Sequence, residues 1–202
     1  MFPYADWEDQ YWSGYFTSRA NSKSQVRQGQ RNLLASNKLW TGKVLDQTAS
    51  DEEIESILEA RYTMLDSMGS YQHHDAITGT AKQAVADDYS YLLSKSMATS
   101  NEVFEGYVAD YSEKFAGIQS DSWGLCSVNN GTYVDCPVPF DTQKFAVTSY
   151  NPSSVDVQTQ SFKVPPANSY NVWGYDYDSS EWQYFNSTLL CYTHLANDVE
   201  HS

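Results

Sequence analysis

The chain has 202 residues, 41% of them hydrophobic, which is enough to bury a core in one domain or in a small domain with part of another. Its 26 acidic residues outnumber its 12 basic residues, and the net charge of −14 would repel a phosphate backbone, so nucleic acid is not expected as a partner. No run of about eighteen apolar residues occurs, and we expect no transmembrane helix.

The chain opens with an aromatic-rich segment, which has neither the basic region nor the apolar region of a signal peptide. We therefore expect an internal segment of a longer protein. A first helix is predicted over residues 22–40, where Gly29 interrupts an apolar pattern formed by Val26, Leu33, Leu34 and Trp40.

Two stronger helix signals flank residues 71–79. The first helix of this pair, over residues 50–69, opens with the capping-box residues Ser50 and Glu53 and has an apolar face comprising Ile54, Ile57, Leu58, Leu65 and Met68. The second opens with another such pair, Thr80 and Gln83, continues through residues 103–115, and has an apolar face comprising Ala84, Val85, Tyr89, Leu92, Leu93 and Met97. We expect these helices to be antiparallel, with four residues buried between them: Ile57, Leu65, Val85 and Leu92.

The pattern changes from helical to strand-like beyond about Gly117. The stretch KFAVTSYNPSSVDVQTQSFKV, residues 144–164, alternates with a period of two, and Asn151-Pro152 supplies a turn. The predicted fold class is therefore α+β: a three-helix bundle followed by the first strands of a β-sandwich, with the boundary in a loop near residues 117–137. The last part of the chain has too few strands to close a sandwich, so we expect an incomplete β domain.

The chain has three cysteines, of which Cys126 and Cys136 are close enough in sequence to close a short disulfide loop. The alternative is a pair of buried free thiols. Two N-glycosylation sequons, at Asn130 and Asn186, favour a protein of the secretory pathway. We predict the disulfide, with Cys191 free or paired outside this segment.

Two adjacent histidines and an aspartate, His73, His74 and Asp75, lie between the two capped helices. Side chains of adjacent residues diverge on a helix or strand, so the residues alone predict at most one ligand of a common metal ion here. His194 and His201 have no metal-type spacing to this pair. The alternative is that the pair caps the preceding helix or satisfies buried carbonyls.

Two segments resemble the class II α-mannosidases, glycoside hydrolase family 38. YQHHDAITGTAKQAVADDY resembles the family's QHHD-[AG]-[IV]-[ST]-GT segment, and FPYADWEDQYWSGYFTSRA resembles its YW-[ST]-GY-[YF]-[TS]-SRP stretch, although Ala20 replaces the usual proline. CSVNNGTYVDCPV is similar, more loosely, to the cysteine-bounded loop that opens the family's C-terminal β domain. Together the matches span roughly residues 1–152.

The resemblance implies a zinc-dependent retaining glycosidase that removes α-linked mannose from N-glycans. It implies that His74 is a zinc ligand, that Asp75 binds sugar hydroxyls and that Trp12 forms an aromatic wall of the sugar site. His73 would border the site or orient its loop. The family's remaining zinc ligands, its nucleophile and its acid/base carboxylate belong to an N-terminal domain that this sequence does not contain, so we expect no catalytic residue in the chain.

The same resemblance implies three regions. Residues 1–20 would end the α/β catalytic domain, residues 21–118 would form the helical middle domain, and residues 119–202 would begin the β-sandwich domain. The implied partners are mannose-containing glycans and the absent domains, and the implied location is the lysosome, the vacuole or the secretory pathway. Two alternatives remain: a non-catalytic carbohydrate-binding or assembly module, and a purely structural bundle.

Overall fold

A computed structural model describes residues 4–120, 123–129, 133–139, 141–155, 162–167, 169–176 and 178–185. The sequon residues Asn130 and Asn186, together with Cys191, His194 and His201, lie outside these ranges. The chain forms two compact units, Met1–Val108 with Ser149–Thr159 and Ala109–Thr148 with Gln160–Ser202.

The predominant elements are three helices, α1 (Ala20–Leu45), α2 (Asp51–Tyr71) and α3 (Gln83–Ala116), preceded by a short 3-10 helix at Ser13–Phe16. All three were predicted, although α1 is longer than expected at both ends. The N-terminus of α2 has the predicted capping box, in which Ser50 and Glu53 each satisfy the other's backbone N–H. No helix in the described part of the chain is long and apolar enough to cross a membrane.

The first unit has two clusters of buried side chains to which all three helices contribute. One comprises Val26, Tyr71, Ala76 and Leu93, and the other comprises Trp40, Ile57, Ala60 and Tyr107. Between them, pairs of serine hydroxyls meet across helices, Ser36 with Ser100 at 3.2 Å and Ser67 with Ser96 at 2.6 Å. Because these hydroxyls satisfy one another, the helices can bury them without leaving an unpaired polar group.

The predicted core residues are correct in one position of four. Ile57 is buried, but Leu65, Val85 and Leu92 are exposed to 40%, 44% and 39%. The buried positions lie one residue away, at Met64, Ala86 and Leu93. At these three positions the prediction is therefore off by one residue, which corresponds to about 100° around an α-helix.

Gly29 marks a close approach of the three helices. A Cβ atom at this position would lie 2.9 Å from Met68 Sδ on α2 and 3.0 Å from Leu93 Cδ1 on α3. The glycine that weakens the helical pattern of α1 in the sequence is thus the residue that allows the side chains of two neighbouring helices to reach its backbone.

The strands in the described part of the chain form two small sheets. In the first, β1 (Ser127–Asn129) pairs antiparallel with β2 (Tyr133–Asp135), and β2 pairs parallel with β3 (Phe162–Lys163). In the second, β4 (Val172–Asp176) pairs antiparallel with β5 (Glu181–Phe185), with Trp173 opposite Tyr184 and Tyr175 opposite Trp182. These elements make the fold α+β.

The strand predicted at the start of residues 144–164 is wrong over residues 144–150, which have no strand structure. Side chains there contact helix α3 instead: Thr148 bonds to Ser112 at 2.9 Å, and the ring of Tyr150 lies 6.0 Å from that of Phe104. The predicted turn at Asn151 is present, since the Asn151 side chain accepts a hydrogen bond from Ser153 N at 3.0 Å.

Candidate functional site

The histidine turn, residues 72–82, connects α2 to α3 and is ordered by its own backbone. Ala76 N donates to His73 O at 2.9 Å, while Thr80 N and Ala81 N donate to Asp75 O at 3.2 and 3.0 Å. Ala76 is 7% exposed and belongs to the same core cluster as Tyr71. The turn is therefore anchored to the core immediately after the residues that carry the candidate chemistry.

The turn brings all three polar side chains together. His73 Nε2 and His74 Nε2 lie 3.5 and 3.4 Å from the same atom, Asp75 Oδ2, and the two imidazole rings are 4.4 Å apart. The expectation that adjacent histidines diverge is wrong here, because it assumed a helix or a strand and the backbone at this point is a turn.

The side chains of the cluster are accessible. His74 is 82% exposed, His73 is 45% exposed and Asp75 is 47% exposed. Asp75 Oδ1 accepts a hydrogen bond from Thr80 Oγ1 at 2.7 Å, and this bond, followed by the nearby imidazoles, lowers the pKa of Asp75. Both carboxylate oxygens of Asp75 are thus oriented, one by a hydroxyl and one towards the histidines.

The predicted capping box at Thr80 and Gln83 is wrong. Helix α3 begins at Gln83, so Thr80 lies before its N-cap position. The Thr80 hydroxyl donates to Asp75, and the Gln83 side chain bonds to Arg19 and Asp87. The residues that resembled a helix cap therefore stabilise the histidine turn and its neighbours.

The donor atoms of this cluster fit part of a zinc coordination shell. Imidazole nitrogen and carboxylate oxygen bind zinc at about 2.0–2.2 Å, so two such atoms on a tetrahedral ion lie roughly 3.3–3.6 Å apart. The separations of 3.4 and 3.5 Å match this spacing, and the ligand atoms of His73, His74 and Asp75 all lie within 4.8 Å of one another.

Trp12, the predicted sugar contact, takes its partners from the N-terminal segment. Its indole nitrogen donates to Asp6 Oδ2 at 2.9 Å, and its ring meets that of Tyr4 edge to face at 5.2 Å. The side chain is nevertheless 51% exposed. An indole held at its edge with an accessible surface can cover the C–H side of a sugar ring.

Two cations that sequence reasoning did not assign hold the histidine turn from α1. Lys23 Nζ donates to three backbone carbonyls, those of Ser18, Ile77 and Thr78, at 2.6, 2.8 and 3.1 Å. Arg19 Nη1 donates to Gly79 O at 2.9 Å and to Ala81 O at 2.6 Å. Arg19 lies in the SRA end of the segment FPYADWEDQYWSGYFTSRA, and this family resemblance could have indicated its importance. No local pattern in the sequence singles out Lys23.

The second unit has the disulfide predicted between Cys126 and Cys136, whose Cα atoms are 4.1 Å apart. It lies in a different unit from the histidine turn. Glycosylation at Asn130 and Asn186 stays a prediction, because both residues lie outside the described ranges.

Comparison with protein families gives a match to the alpha mannosidase middle domain over residues 10–110, half of the 202-residue chain. The chain belongs to the α-mannosidase middle-domain family. The matched region contains Trp12, Arg19, Lys23 and the whole histidine turn. The resemblance read from the two motifs is therefore confirmed at the level of the family.

Curated relatives are α-mannosidases. The chain is 37% identical over 110 residues to lysosomal alpha-mannosidase of Dictyostelium discoideum, covering 54% of this chain and 10% of that protein. It is 32% identical over 152 residues to lysosomal alpha-mannosidase of Felis catus, covering 75% and 14%, and 41% identical over 102 residues to alpha-mannosidase 2 of Homo sapiens, covering 48% and 9%. The chain thus spans about a tenth of these relatives' length. No solved structure gave a significant match.

Proposed function

We propose that this chain is a segment of an α-mannosidase that hydrolyses α-linked mannose in N-glycans, and that the histidine turn forms one side of its active site. The observation that carries the proposal is the cluster of His73, His74 and Asp75, whose ligand atoms lie within 4.8 Å of one another inside the region that matches the family. The segment would comprise the end of a catalytic domain, a helical bundle and the start of a β-sandwich.

Each side chain has a proposed role that suits its chemistry. His74, the most exposed of the three, would be a zinc ligand, and His73 would border the site. An aspartate is ionised at neutral pH at its ordinary pKa, and the hydrogen bond from Thr80 lowers the pKa of Asp75 further. Asp75 can therefore accept hydrogen bonds from sugar hydroxyls, while Trp12 covers the sugar's apolar surface. Zinc, when bound, would supply a Lewis acid for sugar oxygens.

The chain alone should not catalyse the reaction. Retaining hydrolysis of a glycoside needs two carboxyl groups about 5–5.5 Å apart across the scissile bond. We propose that these carboxylates, and the other zinc ligands, come from a preceding domain of the protein. Losing them removes both the nucleophile and the general acid, and most of the free energy of metal coordination.

The decisive experiment measures zinc content and hydrolysis of an aryl α-mannoside in this chain and in the longer protein that contains it. In the longer protein, we expect His74→Ala to deplete zinc and nearly abolish turnover, and Asp75→Asn to retain zinc but lose substrate binding and rate. His73→Ala should deplete zinc less than His74→Ala does. Normal zinc content in the His74→Ala protein, or full activity of the isolated, metal-free chain, would refute the proposal.

A second candidate function is a non-catalytic carbohydrate-binding module, and a specific feature of the second unit favours it. Because residues two apart share a face of a strand, Trp173, Tyr175, Trp182 and Tyr184 lie on one face of the β4–β5 hairpin. Trp173, Trp182 and Tyr184 are exposed to 56%, 46% and 56%. Mannose-oligosaccharide binding by the chain that disappears in Trp173→Ala and persists in His74→Ala would support this alternative.

We further propose that the protein is located in the lysosome, the vacuole or the secretory pathway. Two of the relatives are lysosomal by name, and the disulfide between Cys126 and Cys136 suits an oxidising compartment. Fractionation of cells that produce the protein tests this location, and recovery in the cytosol with Cys126 and Cys136 reduced would contradict it.

A further inference from the structure

We propose that Arg19 and Lys23 are positioning residues that hold the histidine turn in the conformation in which His73, His74 and Asp75 converge. The importance of this convergence for metal binding rests on the function proposed above, whereas the effect on the conformation of the turn does not. Neither cation is a member of the cluster of potential metal ligands, which comprises His73, His74 and Asp75.

The two cations bond to the second half of the turn, which follows His73, His74 and Asp75. Lys23 binds the carbonyls of Ile77 and Thr78, and Arg19 binds those of Gly79 and Ala81. Four carbonyls of the turn therefore point towards α1, where they receive charge-assisted hydrogen bonds, which are shorter and stronger than neutral ones. Asp75 O accepts a hydrogen bond from Ala81 N, so this segment is bonded directly to a member of the ligand cluster.

Lys23 uses its full hydrogen-bonding capacity at this contact. Its ammonium has three donors, and three carbonyls within 3.1 Å take them. Burial lowers the pKa of Lys23, as expected for an ammonium removed partly from water. One of its acceptors, Ser18 O, lies two residues before α1, so the lysine joins the segment that leads into the helix to the turn.

The backbone before α1 and the backbone of the histidine turn lie close together at this junction. Arg19 has a positive φ of 50°, which is uncommon for a residue with a side chain, and Gly79 has a φ of 79°. A Cβ atom on Gly79 would lie 2.8 Å from Ser18 O. The helix start and the turn therefore meet backbone to backbone, and the two cations fix that contact on either side.

The test uses the 202-residue chain with the variants Arg19→Gln and Lys23→Met. Arg27→Gln is the matched control, because Arg27 is exposed on the same helix one turn beyond Lys23. Amide hydrogen exchange is measured at Thr80 and Ala81, whose N–H groups close the turn, and at Leu93 as a reporter of the buried core. Zn²⁺ is then titrated while the imidazole resonances of His73 and His74 are followed by NMR.

We expect both variants to accelerate exchange at Thr80 and Ala81 at least about tenfold while Leu93 keeps its protection, and to weaken Zn²⁺ binding about 10- to 100-fold, the usual effect of losing a residue that orients metal ligands. Arg27→Gln should change neither quantity. Unchanged exchange in the turn would overturn the inference. So would exchange that accelerates equally at Leu93, because the cations would then stabilise the fold as a whole.

Two further outcomes are separable. If Arg19→Gln fails to fold, Arg19→Lys keeps the charge but cannot bond two carbonyls through one planar group, and it should still accelerate exchange in the turn. If Zn²⁺ leaves the imidazoles of the unaltered chain unperturbed, the chain binds zinc too weakly without the other proposed ligands, and the zinc role of His74 is decided by zinc content in the longer His74→Ala protein. The exchange measurements still decide whether Arg19 and Lys23 hold the turn.

Discussion

Consecutive leucines in α3 provide a sharp test of how the helices pack. Leu93 is 0% exposed and belongs to the cluster around Val26 and Tyr71, whereas Leu92 is 39% exposed. Leu93→Ala and Leu92→Ala remove the same three carbon atoms from the same helix, so their effects on helix propensity cancel in the comparison. Any difference in stability then reports the orientation of the helix.

The expected difference follows from burial. Leu93→Ala loses a transfer free energy of about 2 kcal/mol and leaves a cavity that adds about 1 kcal/mol, for a total of about 3 kcal/mol. About three fifths of Leu92 is buried, so its transfer loss is about 1 kcal/mol, and solvent can fill the vacated space. The difference of about 2 kcal/mol corresponds to roughly a 30-fold change in the unfolding equilibrium constant.

Urea unfolding followed by helical circular dichroism measures this difference. Equal slopes with different midpoints would attribute the change to stability and not to the unfolded state. If Leu92→Ala destabilised the chain as much as Leu93→Ala, or more, the packing described for α3 would be wrong and the burial of Leu92 predicted from the sequence would be correct.

Three further outcomes are expected. Ser50→Ala should cost about 1 kcal/mol in urea unfolding, because it removes the acceptor for Glu53 N at 3.2 Å, whereas Ser56→Ala on the exposed face of α2 should cost less. The Glu53 carboxylate accepts a hydrogen bond from Ser50 N and pairs with Lys43, and both contacts lower its pKa. The stabilisation is therefore present above the ordinary glutamate pKa and is lost as pH falls through the lowered value. In a plot of melting temperature against pH, Glu53→Gln should reduce the fall at acid pH. Alkylation without reductant should modify neither Cys126 nor Cys136, and loss of the disulfide through Cys136→Ser should destabilise the second unit by about 2–3 kcal/mol for a loop of this length.

Local signals in the sequence were sufficient where short-range chemistry decides the structure. The capping box at Ser50 and Glu53 needs only residues three apart, and α2 begins where that pair predicts. The disulfide likewise joins cysteines separated by only 10 residues, so closing the loop between them costs little chain entropy. Family resemblance through two short motifs was enough to identify the middle domain.

The buried faces of the helices were missed because small and polar residues occupy many of the buried positions. On α2 these positions are Ile57, Ala60, Met64, Ser67 and Tyr71, spaced alternately three and four apart. The spacing is that of a helix interface, but a search for large apolar residues passes over Ala60 and Ser67. Paired serine hydroxyls on the facing helices make such positions stable in the interior, and that pairing is visible only once the helices are together.

The histidine turn shows the limit of local reasoning in its sharpest form. The chemistry is on three consecutive residues, yet their convergence depends on a turn whose carbonyls bond to Arg19 and Lys23, between 54 and 62 residues earlier in the chain. A fragment that contained the QHHD motif but lacked the start of α1 would keep every candidate ligand and lose the two cations that donate hydrogen bonds to the turn. Its four backbone carbonyls would then turn to water, and the entropy of an unconstrained loop would oppose the convergence of the two imidazoles with Asp75. The motif therefore identifies which residues can bind, and the start of α1 determines whether they are placed to do so.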